Sequence, residues 1–212
     1  MSDVSDVSDE LLLLIISSPS GAGKTTLTRE LLRTFPELTF SVSHTTRKPR
    51  PAEVHGRDYY FVERAQFEQL VGAAAFAEWA EVHGNLYGTS LAEIARAHGE
   101  GKRGIVFDVD YQGARQIKAS RQNAVGVFIL PPSLGELERR LRGRASEDEQ
   151  AITRRIEKAR IEIEHYGFFD YLIVNDDLEQ AQARLRSVVY AEQSRRWRMA
   201  QAAEALLRAG HL

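Results

Sequence analysis

The passage that most limits how this chain can fold runs from a wholly apolar stretch, residues 11–16, through a glycine-containing loop into an amphipathic segment. Unbroken apolar character over so short a run is the pattern of a strand buried on both faces, as inside a parallel sheet. Residues 25–35 then carry Leu27, Leu31 and Leu32 at helical spacing. Between strand and helix lie Ser18, Pro19, Ser20, Gly21, Ala22, Gly23, Lys24 and Thr25. They match the phosphate-binding pattern G-x-x-x-x-G-K-[ST] except at its first position, where serine replaces glycine. In this setting Gly21 and Gly23 let the backbone N–H groups wrap around phosphate oxygens, and the helix N-terminus adds partial positive charge. Lys24 is placed to reach the β- and γ-phosphates, and the Thr25 hydroxyl to ligate Mg²⁺. A turn that merely joined strand to helix would need neither the lysine nor the threonine. The loop is expected to bind ATP or a similar nucleoside triphosphate for phosphoryl transfer.

Further buried-strand patterns occur at 104–110, followed by a helix through Ile117, and at 125–130, followed by Pro131, Pro132 and a helix over 133–141. Residues 171–174 form another, leading into a long helix from Leu178. Strands alternating with helices predict an α/β fold, a P-loop parallel sheet core covered by helices, with ligands beyond the carboxyl ends of the strands. Two stretches break the alternation. Residues 44–99, rich in Tyr, Gly, Pro and Arg and with a short strand candidate at 58–62, read as a small α+β insertion. Residues 141–169 read as a charged helical lid, with a capping box at Ser146 and Glu149 and an apolar face of Ile152, Ile156 and Ile163. The expected partition is a disordered tail at 1–10, a core at 11–43, 100–140 and 170–212, the insertion at 44–99 and the lid at 141–169.

Composition narrows the function classes. Lys and Arg number 28 against 30 Asp and Glu, a net charge of -2 that argues against a general nucleic-acid binder. There is no cysteine, which excludes disulfides and Cys-ligated zinc and fits a reducing compartment. The apolar run is too short to cross a bilayer and follows an acidic segment, so the expectation is a cytoplasmic protein with no membrane partner. Nothing in the sequence signals oligomeric state, and a homo-oligomer is compatible with it.

A phosphate loop alone does not separate a motor from a GTPase or a kinase. Arg47 and Arg50 flank Pro49, and arginine forks suit phosphate. Tyr59 and Tyr87 supply hydroxyl donors that could complete a monophosphate cradle. The stretch from Ser43 to Arg50, with Glu53, Gly56, Tyr59, Phe61, Val62, Glu78, Trp79, Tyr87, Gly88 and Thr89, resembles the GMP-binding region of guanylate kinase. So do Asp108-Val-Asp-Tyr-Gln-Gly113 and Ile173-Val-Asn-Asp176, in the family's order and spacing from about Leu11 to about Gln193. Ala52 stands where the family's Arg-x-Gly-Glu pattern usually has glycine.

The resemblance implies ATP and GMP as small-molecule partners, Mg²⁺ with ATP, and a GMP-binding role for the insertion. It implies Arg47, Arg50, Tyr59 and Tyr87 at the GMP phosphate, and Ser43, Glu78, Thr89 and Asp108 at the base. Guanine offers N1–H and the 2-amino group side by side, and one carboxylate can accept from both; adenine would leave it unpaired. Glu78 has a competing reading as a surface carboxylate beside a core Trp79. Asp108 and Asp110 alternate with Val109, so both point to one face of the strand end. Asp110 is assigned with Thr25 to Mg²⁺ and Asp108 to guanine, though spacing alone allows the reverse. Arg144 and Arg155 match the family's lid arginines and join Lys24 and Arg47 as expected catalytic cations, while the neighbouring Arg139, Arg140, Arg142 and Arg154 read mostly as solvated. His44, His55 and His83 have no metal-ligand spacing. Arg195, Arg196 and Arg198 around Trp197 read as a solvated or oligomer-contacting face. A kinase for another nucleotide, and a guanylate-kinase-like module that binds peptide without catalysis, are the competing readings; the intact Gly23-Lys24-Thr25 weighs against the second.

Overall fold

The computed structural model describes residues 11–82, 84–143 and 149–209. The expected tail at 1–10, His83, Arg144 and Ser146 of the expected capping box lie outside the described residues.

A five-stranded sheet is built from β1 (Leu12–Ser17), β2 (Leu38–Phe40), β7 (Gly104–Asp108), β8 (Val125–Leu130) and β9 (Tyr171–Val174). Its order is β2-β7-β1-β8-β9, and every neighbouring pair is parallel. The four apolar runs became strands, and the short edge strand β2 joins them. With three residues, β2 is too brief for periodicity to announce. The run at 104–110 stops being strand at Asp108, because Asp110 turns away to cap the next helix.

β1 lies at the centre, and its alternating side chains feed two cores. Leu12, Leu14 and Ile16 face α1 (Lys24–Thr34) and α7 (Leu178–Gln193), meeting Leu27, Leu31 and Leu185. Leu11, Leu13 and Ile15 face the other way, toward Ile94 of α3 (Leu91–Gly99) and Ala114 and Ile117 of α4 (Tyr111–Ser120). Burial on both faces explains why β1 shows no polar alternation.

The helix starts carry their own signals. Asp110 accepts from Gln112 and Gly113 N–H at 3.0 and 3.1 Å, and Asp177 from Gln180 N–H at 2.8 Å. Ser133 accepts from Glu136 N–H at 3.0 Å at the start of α5 (Leu134–Arg142). The expected long C-terminal helix divides into α7 and α8 (Arg196–Ala209). At the division the Ser194 hydroxyl bonds back to Tyr190 O at 2.7 Å, a bond that competes with helix continuation.

The second sheet has the order β4-β3-β6-β5, from β3 (His44–Thr45), β4 (Tyr60–Phe61), β5 (Phe76–Val82) and β6 (Asn85–Ser90). With α2 (Arg64–Gly72) it gives the α+β character expected between the core strands. The charged segment expected as a lid contains α6 (Glu149–Glu164). No helix among the described residues is long and apolar enough to cross a membrane.

Because β1 is packed from both sides, a cavity there cannot collapse easily. Leu14→Ala, at a fully buried position, should lower stability by about 2–5 kcal/mol, read as a lower urea midpoint at unchanged m-value.

Candidate active site

The phosphate loop leaves β1 and enters α1 through Gly23, whose φ is +97°. A Cβ on Gly23 would stand 2.3 Å from Asn175 Nδ2, so conformation and space both demand glycine. Asn175, just past β9 and 6% exposed, donates from Nδ2 to Ala22 O at 2.7 Å and braces the loop from beneath. Arg140 in turn donates to Asn175 O at 3.1 Å while its Nε holds Glu136 at 2.8 Å. Arg140 is therefore not one more solvated arginine but a strut under the loop. The start of α1 has neither a side-chain cap nor an acidic residue in its first turn, leaving N–H donors for an anion. Ser18 has no positive φ, so serine fits where the pattern has glycine, and its hydroxyl donates to Pro19 O at 3.1 Å. Lys24 is ion-paired with Asp108.

Of the expected acceptor residues, Ser43, Tyr59, Glu78 and Tyr87 line the same cleft, while Arg47, Arg50 and Thr89 are not among its lining residues. Glu53 accepts from Arg47 Nη2 and from Arg50 N–H, both at 2.8 Å, and so shapes the turn between them. Ala52 in that turn has no positive φ, so the missing glycine is not required here. The Arg47 guanidinium lies 5.4 Å from the Tyr59 ring centre, within cation–π range, and the Tyr59 and Tyr87 rings meet edge to face at 6.1 Å. Arg50 is exposed, with no ion pair recorded among the described residues. Burial, with the charge of Asp108, pushes the Tyr59 hydroxyl above the usual tyrosine range and keeps it a donor. Arg47 is held still more firmly protonated by its bond to Glu53.

Deeper in, the Ser43 and Thr89 hydroxyls share a 2.9 Å hydrogen bond, and Glu78 Oε1 accepts from Thr89 N–H at 2.8 Å. The competing reading of this segment is reversed by the structure: Glu78 is 5% exposed and Trp79 is 40% exposed. Gln116 on α4 explains how β5 is held so. Its side chain accepts from Trp79 N–H at 3.1 Å and donates to Trp79 O at 2.8 Å. Glu78 then lies against Gly113, where a Cβ would come within 2.7 Å of Oε2. Burial pushes the Glu78 carboxyl up to about 7; the bonds to Thr89 oppose this and the charge of Asp110 adds to it.

The two aspartates divide. Asp108 meets Lys24 at the phosphate loop, whereas Asp110 caps α4 and acts electrostatically on Glu78. Arg155 is half-buried on α6, and Arg144 lies outside the described residues. His44 is packed between the Tyr60 and Phe76 rings, and burial lowers its basicity. No group of three or more His, Cys, Asp or Glu among the described residues could hold a metal by itself.

The two passages of chain that flank the base end are joined through the buried Glu93 and the partly exposed Arg96. Glu93 accepts from Val42 N–H at 2.8 Å and Arg96 Nη2 at 2.9 Å, and Arg96 Nη2 also donates to Phe40 O at 2.9 Å. This ties the outgoing chain near Ser43 to the returning chain near Thr89. Asn175, Arg140, Gln116 and the Glu93–Arg96 pair had no assigned role from sequence; Asn175 alone carried a signal, as a polar residue at a strand end within the Ile173–Asp176 resemblance.

Lys24, Thr25, Ser43, Glu78, Tyr59 and Asp108 all line one cleft of about 670 Å³. Such an arrangement can bind phosphate at one end and a polar planar base at the other.

The raised carboxyl of Glu78 has a consequence for stability. Between the ordinary value of 4.5 and about 7 the folded chain holds a proton that the unfolded chain releases, so stability falls as pH rises through that window. Glu78→Gln removes the penalty. It should be more stable than the parent at pH 8 by on the order of 3 kcal/mol, with the difference gone near pH 4 in paired thermal melts.

A family model described as guanylate kinase matches residues 11–192. A guanylate kinase of Geobacter sulfurreducens is 50% identical over 186 residues, spanning 88% of this chain and 91% of its own. One of Salmonella paratyphi A is 47% identical over 197 residues, spanning 92% and 95%. A crystal structure of guanylate kinase from Anaplasma phagocytophilum is similar at a TM-score of 0.71 and 34% identity, with 90% of each chain covered.

Proposed function

The chain belongs to the guanylate kinase family, and from that premise we propose that its cleft transfers the γ-phosphoryl group of ATP to GMP, giving ADP and GDP. The observation that carries this reading is the continuity of the cleft, which has Lys24 and Thr25 at one end and Ser43, Tyr59 and Glu78 at the other.

A GMP phosphate oxygen attacks the γ-phosphorus in line, and the bond to the β,γ-bridging oxygen breaks as ADP leaves. The protein supplies position and charge. Lys24 and the α1 N-terminus take the donor phosphates, and Arg47, Arg50, Tyr59 and Tyr87 the acceptor phosphate. Lys24 and Arg47 already have carboxylate partners in Asp108 and Glu53, so each is held in place until phosphate oxygens replace those partners. Arg155 and Arg144 are the cations the lid brings; closure would exclude water and limit wasteful hydrolysis of ATP.

Mg²⁺ suits the donors present: an exposed Thr25 hydroxyl and the Asp108 carboxylate, hard oxygens of the kind Mg²⁺ uses together with nucleotide phosphates. When bound, it neutralises charge between the β- and γ-phosphates. We place Asp108 on this phosphate side and Asp110 toward the base with Glu78. Glu78 would accept from guanine N1–H and the 2-amino group, with Ser43 and Thr89 donating to O6. The absence of cysteine and the nucleotide substrates support a cytoplasmic setting.

Two measurements test the reading. In a coupled assay with ATP and Mg²⁺, GMP should be turned over at least about a thousandfold more efficiently than AMP, UMP or dTMP, as polar base recognition permits. Equal or faster use of another monophosphate would remove the guanine assignment and leave the kinase class standing. Since only the ionised Glu78 can accept from both guanine donors, the KM for GMP should rise as pH falls below about 7, with the KM for ATP unmoved. Glu78→Gln should show a high KM for GMP at every pH; an unchanged value would mean that the base contact is misassigned.

A further inference from the structure

The helix α6 has a definite inner face: Ile152, Ala159 and Glu162 are buried, while Glu157 and Arg160 are exposed. Arg155 and Lys158, three apart, lie along that face, with Glu162 one turn further on. Lys158 lines the cleft with Lys24, Thr25, Asp108 and Asp110, so the helix presents it to the place where donor and acceptor phosphates must meet.

Its pairing is unusual for a lysine on a helix. Nζ stands 3.7 Å from Glu162 Oε1, close enough for ion pairing and too far for a hydrogen bond. The ammonium is drawn toward this carboxylate, on a side chain 43% exposed, with its donors free for phosphate oxygens. The Glu162 side chain is 9% exposed, and Oε2 has no hydrogen-bond partner. Burial raises the Glu162 carboxyl above the usual range and Asp110 adds to this, while Lys158 and Lys24 oppose it. The group therefore lies within electrostatic reach of the reaction centre. A surface pair that only supports the helix would not look like this. Lysine preceding glutamate by four is the weaker orientation, and a buried carboxylate with an orphan oxygen is unfavourable for folding.

We propose that Lys158 is a further substrate-contacting cation of the transfer site, carried one turn beyond Arg155, and that Glu162 is its positioning residue. The inference rests on the phosphoryl-transfer reading above. Lys158 keeps its proton throughout and neutralises charge on the equatorial oxygens of the transferring group. Glu162 fixes the direction of its stem and touches no substrate.

Lys158→Gln, Lys158→Arg and Glu162→Gln are compared with the parent by steady-state kinetics with ATP, Mg²⁺ and GMP, each with a thermal melt. Lys158→Gln should lower kcat at least about tenfold, with both KM values within threefold and the melting temperature unchanged. Lys158→Arg should recover most of the loss. Glu162→Gln should show the same pattern in smaller measure, a split between kcat and KM that a purely structural carboxylate would not give. A kcat for Lys158→Gln within threefold of the parent, or a loss confined to KM, overturns the proposal. A parent enzyme that forms no ADP in response to GMP would instead overturn the activity on which it rests.

Discussion

The site depends on the parallel register of β1 and β7, in which Ile16 lies opposite Asp108. That register sets the last residues of β7 beside the loop leaving β1, so Lys24 and Asp108 can pair. Strand side chains alternate, so a slip of one residue would send Asp108 to the other face and leave the lysine alone. β7 also pairs with β2, and the chain leaving β2 leads directly to Ser43 and the second sheet. One strand thus places an acidic group by the donor loop and fixes where the acceptor residues begin.

Around this axis the charged groups are held by partners that a phosphate or a base could replace. Asp108 holds Lys24, and Glu53 holds Arg47 and shapes the turn before Arg50. Glu78 is the exception. It is buried against Gly113 and Thr89, close enough to Asp110 to feel its charge. The resulting instability of its ionised form is tolerable where a ligand with two adjacent donors relieves it, a common pattern at sites that trade stability for recognition. The Glu93–Arg96 pair serves a different end. It binds the two chain passages to one another and so keeps the Ser43 and Thr89 hydroxyls in contact.

Much of this was legible before any coordinates. The apolar runs at 11–16 and 125–130 became strands because burial on both faces leaves no choice of pattern, whereas 171–174, read from sequence as equally buried, is an edge strand with Leu172 and Val174 exposed. The phosphate loop was legible because glycines, lysine and threonine have to stand close together in sequence to surround a phosphate. The GMP-side residues were legible through resemblance, since no local spacing links Ser43 to Glu78 or Glu78 to Gly113. Trp79 and Glu78 show why: which of two neighbours on a short strand faces inward depends on the sheet it joins, and Gln116, 37 residues away, takes part in that decision. Arg140 among its many arginine neighbours shows the same limit, because its role exists only where Asn175 arrives from another strand.

By itself, then, the sequence determined the longer core strands, their following helices and the donor loop, because periodicity and contiguous motifs are properties of neighbouring residues. Tertiary structure alone decided which aspartate meets Lys24, why Gly23 and Gly113 must lack a side chain, and which carboxylates are buried. Each of those outcomes comes from groups distant in sequence approaching within a few ångströms, where the loss of solvent makes charge and shape decisive.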